Sequence, residues 1–515
     1  MKRVLATVSL SGTLRGKLEA AAAAGFDGVE IAEGDLAASP LRAEDVAALV
    51  ADLGMTVEMY QPLRDVEGVA DEALPAVLAR IDRALDLTGR LGGTRLQIAS
   101  NVETAVSGDI ARTADQLRLV AEAAADRRMT VAWEPIAWAR YLRLHAQGRD
   151  VVAAVDHPAL GLCLDLFHFA AGGEDAAVLR SIPASRIEYV QLNDLPRMDG
   201  DLLAISRVHR LLPGQGDADV DGYVRELRAT GYDGPVSIEA FDERARLGTP
   251  ERVARVAALS LETVFRDASR AAAVPIAGVA RVEVPPATVA ALRAIGVATD
   301  AVVAGGTDRI GRVGWAAGGA EAGVSVARGR ELAALSPVTA EVVEEAADPG
   351  ILTVTLATDQ IDEPVLYARR ALGLSVERGA QVAGARSPMR PLLARDGDAV
   401  RLRIDHADAG VGPAVDGITL VVDDLDAVAA RAREAGLSLV VPAGYYDTLR
   451  VRNALSDDLL DALEWARLTI DVDGGGVRRL TVPTPGVIIE LVDRVVAGPV
   501  AEVDAATLRH VRNTP

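Results

Sequence analysis

Gly161-Leu162-Cys163-Leu164-Asp165-Leu166-Phe167-His168 reads as a short buried strand that ends on a carboxylate and is followed closely by a histidine. Side chains alternate between faces along a strand, so Gly161, Cys163 and Asp165 share one face and Leu162 and Leu164 the other. The same arrangement recurs in Thr130-Val131-Ala132-Trp133-Glu134, in Tyr189-Val190-Gln191 and in Val236-Ser237-Ile238-Glu239. In each, mostly small residues precede an oxygen-bearing side chain on one face, while bulky apolar residues fill the other. Bulky faces are expected to meet helices. Glu134, Asp165, Gln191 and Glu239 are then left pointing together into the inside of a closed sheet.

Outward from these four segments, residues 1–267 alternate short β-branched runs with longer Ala-, Leu- and Arg-rich runs of helical period. Eight strands are expected: Val4 to Leu10, Gly28 to Glu33, Thr56 to Gln61, Arg95 to Asn101, Thr130 to Glu134, Gly161 to Asp165, Ile187 to Asn193 and Val236 to Phe241. Eight βα units in this length give an α/β TIM barrel, (β/α)8, with its active site on the rim at the strands' C-terminal ends. Residues 268–275 are rich in small side chains and read as a linker. From 276 to 515 glycine is more frequent and the pattern is β-rich. There Ile351 to Gly373 resembles Ile418 to Gly436, each a strand, an acidic turn, a helix and a glycine, which suggests an α+β domain of paired βαβββ modules.

The 515 residues carry 54 Lys and Arg against 74 Asp and Glu, a formal charge of −20. Such a field repels nucleic-acid phosphate and anionic lipid, and no basic run offsets it. Nucleic-acid and membrane partners are therefore not expected. With one cysteine, Cys163, no long apolar run and no leader pattern at the N-terminus, a cytoplasmic protein is expected.

Three carboxylates converging on one lumen repel each other unless a cation sits between them. The all-oxygen donor set favours Mg²⁺ or Mn²⁺, with Co²⁺ acceptable, over thiolate- or imidazole-seeking zinc. The competing reading is that these are rim residues engaged in salt bridges.

Six further strings narrow the choice: Val8-Ser9-Leu10-Ser11-Gly12-Thr13-Leu14, Gly25-Phe26-Asp27-Gly28-Val29-Glu30-Ile31, Gln61-Pro62-Leu63-Arg64-Asp65-Val66-Glu67-Gly68, Ser100-Asn101-Val102, Asp165-Leu166-Phe167-His168 and His209-Arg210-Leu211-Leu212-Pro213-Gly214-Gln215-Gly216. Together they resemble the bacterial 3-dehydroshikimate dehydratases, a branch of the xylose isomerase-like barrels, over nearly all of the first 265 residues. The resemblance implies that Glu134, Asp165, Gln191 and Glu239 are the metal ligands and that 3-dehydroshikimate, a small anion, is dehydrated to protocatechuate. Gly34 stands where that family commonly has asparagine, and Leu211 where it has an aromatic residue.

Loss of water from a β-hydroxy ketone begins with removal of the α proton, which needs a base and a stabiliser of the developing negative charge. His168 is the expected base. Arg210 resembles the family's substrate-binding arginine, and Arg64 is the expected partner of the ring carboxylate. His209 is a candidate pocket residue, whereas Arg140 and Arg207 read as ordinary solvated arginines.

Residues 349–495 resemble the vicinal oxygen chelate fold, in particular the 4-hydroxyphenylpyruvate dioxygenase-like module fused to some of these dehydratases. The strings are Pro442-Ala443-Gly444-Tyr445-Tyr446-Asp447, Thr469-Ile470-Asp471-Val472-Asp473-Gly474 and Val487-Ile488-Ile489-Glu490-Leu491-Val492-Asp493. That fold's iron takes two histidines and one glutamate. Aligning the strands puts Thr353 and Gly417 at the histidine positions and leaves Glu490 alone, with His406 at the end of a different strand. No iron is expected there, and the module reads as degenerate, kept for folding, regulation or assembly into a homo-oligomer. Two alternatives remain open: a ketose isomerase or epimerase on the same barrel, whose relatives usually place histidine where this chain has Gln191, and a non-catalytic, metal-stabilised assembly protein.

Overall fold

The computed structural model divides into two compact units, Met1–Ala271 and Ala272–Pro515. It describes residues 1–196, 200–243 and 245–267, and beyond them 276–297, 300–305, 313–317, 340–343, 351–358, 363–366, 368, 374–376, 392–394, 401–406, 414–439, 441, 444–452, 457–471, 477–484 and 487–493. The segment read as a linker lies outside the described residues.

Eight parallel strands close the barrel: β1 (Arg3–Ala6), β2 (Gly28–Ala32), β3 (Thr56–Leu63), β4 (Arg95–Ala99), β5 (Thr130–Glu134), β6 (Leu160–Asp165), β7 (Ile187–Leu192) and β8 (Val236–Ile238). Closure comes from β8 pairing with both neighbours, Val190 opposite Val236 and Leu5 opposite Ile238. Several strands end earlier than the hydrophobic pattern suggests. Thr7–Ser9 form a 3₁₀ turn after β1, and Phe241–Asp242 leave β8 to pair antiparallel with His209–Arg210. Hydrophobicity runs on through these residues because they are buried in loops, and burial does not distinguish a loop from a strand.

The alternation of faces holds through the second half of the barrel. Val131, Trp133, Leu162, Leu164, Val190, Val236 and Ile238 join the large core beneath the helices, whereas Ala132, Cys163 and Tyr189 pack with Val4 and Met59 in a separate cluster inside the barrel. The helix Ile110–Ala125 shows how the outer layer is built. Asp109 caps its first turn by accepting from the Arg112 N–H at 2.8 Å, and Leu117, Val120, Ala121 and Ala124 form the buried stripe against the sheet. Burying a leucine or valine there contributes roughly 1.5–3 kcal/mol.

The second unit holds a four-stranded and an eight-stranded sheet. In the larger sheet, Ile351–Thr358 runs antiparallel to Ala414–Val422, which pairs in parallel with Val487–Asp493. Thr353 is in register with Thr419, and Thr419 with Glu490; the Thr419 hydroxyl donates to Glu490 Oε2 at 3.0 Å. Gly417 lies against Thr355, and a Cβ there would come within 3.3 Å of the Thr355 Cβ and 3.2 Å of the Ile488 carbonyl oxygen. His406 ends the strand Arg401–His406; its side chain is outside the described residues. Among the described residues no helix is long and apolar enough to cross a membrane.

Candidate metal centre and active site

Glu134 closes β5, Asp165 closes β6, Gln191 sits one residue before the end of β7, and Glu239 follows β8 directly. All four are buried. Asp165 doubles as the N-cap of the short helix Leu166–Ala171: its Oδ1 accepts from the Phe167 N–H and from Asn193 Nδ2, both at 2.7 Å. The helix then sets His168 one turn on, over the same lumen. One ligand atom each from Glu134, Asp165 and His168 lies within 4.8 Å of the others, the spacing of donors around one cation.

The structure adds a cation of its own. Arg210 enters the lumen from the ribbon His209–Arg210, and its Nη1 donates to Asp165 Oδ2 at 2.7 Å and to Glu239 Oε2. Its Nη2 donates to Ser206 Oγ at 2.7 Å, and the guanidinium lies between the rings of Phe167 and Phe241, 4.7 and 4.8 Å from their centres. Salt bridging and convergence thus coexist at this centre.

One buried guanidinium does not balance four buried carboxylates. Glu30, on the inner face of β2, accepts from the amides of Gln61 at 2.9 Å and Gln191 at 2.6 Å; Gln61 donates also to Glu239 Oε1 at 2.8 Å, and Gln97 to Glu134 Oε2 at 2.7 Å. Burial pushes Glu239 up to about 8, with Glu30 and Asp165 adding repulsion that Arg210 only partly offsets. Burial, then the charges of Asp165 and Glu239, hold Glu134 well above the usual carboxylate range. Glu30 is pushed to about 7, again by burial. Burial acts the same way on Asp165, but there the Arg210 charge, His168 and two hydrogen bonds outweigh it and lower the pKa. Carboxylates that take up protons for want of charge balance are the donors a divalent ion replaces protons on. The described residues thus offer a divalent cation the buried trio Glu134, Asp165 and His168, with Glu239 joined to Asp165 through Arg210.

His168 is buried and held against protonation, its pKa lowered to about 3 by burial. Its Nδ1 accepts the Ala137 N–H at 3.1 Å, so a neutral ring in this orientation carries its proton on Nε2. Nε2 faces Glu134 Oε1 at 3.6 Å and Asp165 Oδ2 at 3.9 Å, and the ring packs edge-on against Trp138.

Above these groups lies a cavity of ≈ 330 Å³ whose lining includes Arg64, Glu134, Trp138, His168, Arg207, Arg210, Glu239 and Phe241. Arg64 is at its exposed rim. His209 is not among the lining residues; it precedes Arg210 in the ribbon, opposite Asp242. Arg140 does not line the cavity either: it donates to the Glu103 carbonyl and lies over Tyr141. Arg207, read as a solvated arginine, is exposed and also lines the cavity. Its loop helix, Leu202–Val208, turns it back over the barrel mouth. Sequence reading also passed over Glu30, Gln61 and Gln97. The alternation used for the second half of the barrel finds Glu30 and Gln97, since Val29, Ile31, Leu96 and Ile98 occupy the outer core and leave their neighbours inside.

Residues 18–264 match the family model of the xylose isomerase-like TIM barrel. The 3-dehydroshikimate dehydratase of Pseudomonas putida is 43% identical over 249 residues, and that of Pseudomonas aeruginosa 43% over 246; each match covers 48% of this chain and 39% of the relative. A solved xylose isomerase-like TIM barrel/4-hydroxyphenylpyruvate dioxygenase fusion protein superposes with a TM-score of 0.72 at 26% identity, covering 99% of this chain and 98% of that one. The N-terminal unit of this chain has the xylose isomerase-like TIM-barrel fold.

Proposed function

We propose that the barrel is a divalent-metal-dependent dehydratase that converts 3-dehydroshikimate into protocatechuate, with release of one water. The observation that carries this reading is the buried cluster of Glu134, Asp165 and His168, beneath a cavity lined by Glu134, His168 and Glu239 and large enough for a single ring. The two Pseudomonas relatives support it, because their likeness falls on the N-terminal half of the chain.

Glu134, Asp165, Gln191 and Glu239 would hold the ion. Once bound, it supplies Lewis-acid stabilisation of the negative charge that develops on the substrate's ketone oxygen. His168 exchanges protons with the substrate through Nε2, the ring nitrogen that faces the carboxylates. Donating from Nε2 to the departing hydroxyl suits the tautomer set by Ala137; accepting the α proton there requires the other tautomer, with the Ala137 contact given up. Aromatisation of the ring then drives the elimination. A ketose isomerase also moves a proton beside a carbonyl, but it has no carboxylate to bind.

The second unit is read as a vicinal oxygen chelate-like module without iron chemistry. Glu490 has threonines at its cross-strand positions, and Gly417 leaves no space for an imidazole unless Thr355 and the Ile488 backbone give way.

The test is direct. Purified full-length chain, stripped with chelator and reloaded with Mn²⁺ or Mg²⁺, is given 3-dehydroshikimate and followed at protocatechuate's ultraviolet band. Formation that depends on the metal is expected; no product with any divalent ion refutes the dehydratase reading.

A further inference from the structure

The cavity is charged differently at its two ends. Its floor is acidic, and Arg210, although it lines the cavity, is already committed to Asp165, Glu239 and Ser206. In the metal-free chain a substrate carboxylate would have to compete with two buried acids for that guanidinium. Such an exchange is unfavourable, because an unpaired charge left buried costs more than a new exposed contact returns.

The rim offers cations without that obligation. Arg64 and Arg207 both line the cavity, and among the described residues neither guanidinium has an ion-pair partner. Arg207 lies over Phe241, its guanidinium carbon 5.5 Å from the ring centre, while Arg210 and Arg246 approach the same ring at 4.8 and 5.3 Å. Burial lowers the Arg207 pKa, and the neighbouring charges of Arg64, Arg210 and Arg246 lower it further, outweighing the opposite pull of Glu239. Of the two acids that reach the rim, Asp35 is taken by Lys17 at 2.7 Å. Glu33 remains, one carboxylate against two guanidinium groups.

We propose that Arg207, acting with Arg64, binds the carboxylate of the substrate at the cavity rim. This rests on the dehydratase reading for the identity of the substrate. In 3-dehydroshikimate the carboxylate stands across the ring from the ketone and its neighbouring hydroxyl. A ring spanning the cavity therefore presents oxygen donors to the floor and its anion to the rim. The same polarity gives neutral ketoses no use for the rim.

The test compares protocatechuate with catechol, which share the vicinal hydroxyls and differ in the carboxylate. Their affinities for the full-length, Mn²⁺-loaded chain are measured by titration calorimetry, a readout that does not depend on turnover. The wild type is expected to prefer protocatechuate. Arg207→Met is expected to lose about 10- to 100-fold of that preference, the worth of a charge-assisted hydrogen-bonded pair, with catechol affinity unchanged. Arg207→Lys should retain part of it, and Arg64→Met should weaken it in the same direction. With 3-dehydroshikimate, Arg207→Met should raise KM and leave kcat within a few-fold. A preference in Arg207→Met equal to the wild type's, or an unchanged KM, overturns the assignment. Absence of turnover by the wild type with the preference intact refutes the dehydratase reading and leaves the rim site standing.

Discussion

Replacing Arg210 by methionine removes the shared counter-ion of Asp165 and Glu239 while keeping most of the apolar contact with Phe167 and Phe241. Asp165 is fully buried, and its pKa is held low in large part by this guanidinium, so without it the carboxyl must stay charged and unpaired or take a proton. Breaking a buried ion pair from one side costs about 3–5 kcal/mol. Protonation sets a ceiling of similar size: neutralising a carboxyl of ordinary pKa, about 3.9, at pH 7 costs about 4 kcal/mol at 1.36 kcal/mol per unit. For a unit of this size each kcal/mol is worth roughly 2–4 °C, so the barrel's melting temperature should fall by roughly 10 °C in chelator at pH 7. The ceiling shrinks with pH to about 1.5 kcal/mol at pH 5, and the deficit should shrink with it. Mn²⁺, by supplying the missing charge, should restore much of the loss at pH 7. Calorimetric melting of wild type and variant at the two pH values, with and without Mn²⁺, reads all three effects. Equal melting temperatures at pH 7 in chelator, or a gap that stays the same at pH 5, would refute the charge-balance argument.

Three further outcomes are expected. One divalent ion should bind per chain, and Glu134→Ala with Glu239→Ala should abolish it by elemental analysis; because burial raises Glu239 to about 8 and holds Glu134 well above the usual carboxylate range, binding at pH 7 should release protons and tighten as pH rises through about 8, and calorimetry in buffers of different ionisation enthalpy showing no release at pH 7 contradicts this. His168→Ala should keep fold and metal but lose roughly 10²- to 10⁴-fold in kcat, and near-normal turnover by the metal-loaded variant removes His168 from the mechanism. The full-length chain offered Fe²⁺ should show no oxygen uptake with 4-hydroxyphenylpyruvate, and uptake that disappears in Glu490→Ala means that the iron-free reading of the second unit is wrong.

The sequence by itself determined the barrel and the inner face of its second half. Strand alternation is a local property, and the helices punish any bulky residue that turns away from them, so Glu134, Asp165, Gln191 and Glu239 were legible from spacing alone. The same rule, applied to β2 and β4, also reaches Glu30 and Gln97. Tertiary structure alone decided the roles of the arginines. Arg207 and Arg210 are three residues apart in one loop, and nothing local says that one reaches the lumen floor while the other stays at the rim. That division follows from the pairing of His209–Arg210 with Phe241–Asp242, two segments distant in sequence whose register sets Arg210 against Phe241 and His209 against Asp242. A loop's conformation is fixed by such long-range partners, whereas a strand's two faces are fixed by its own residues.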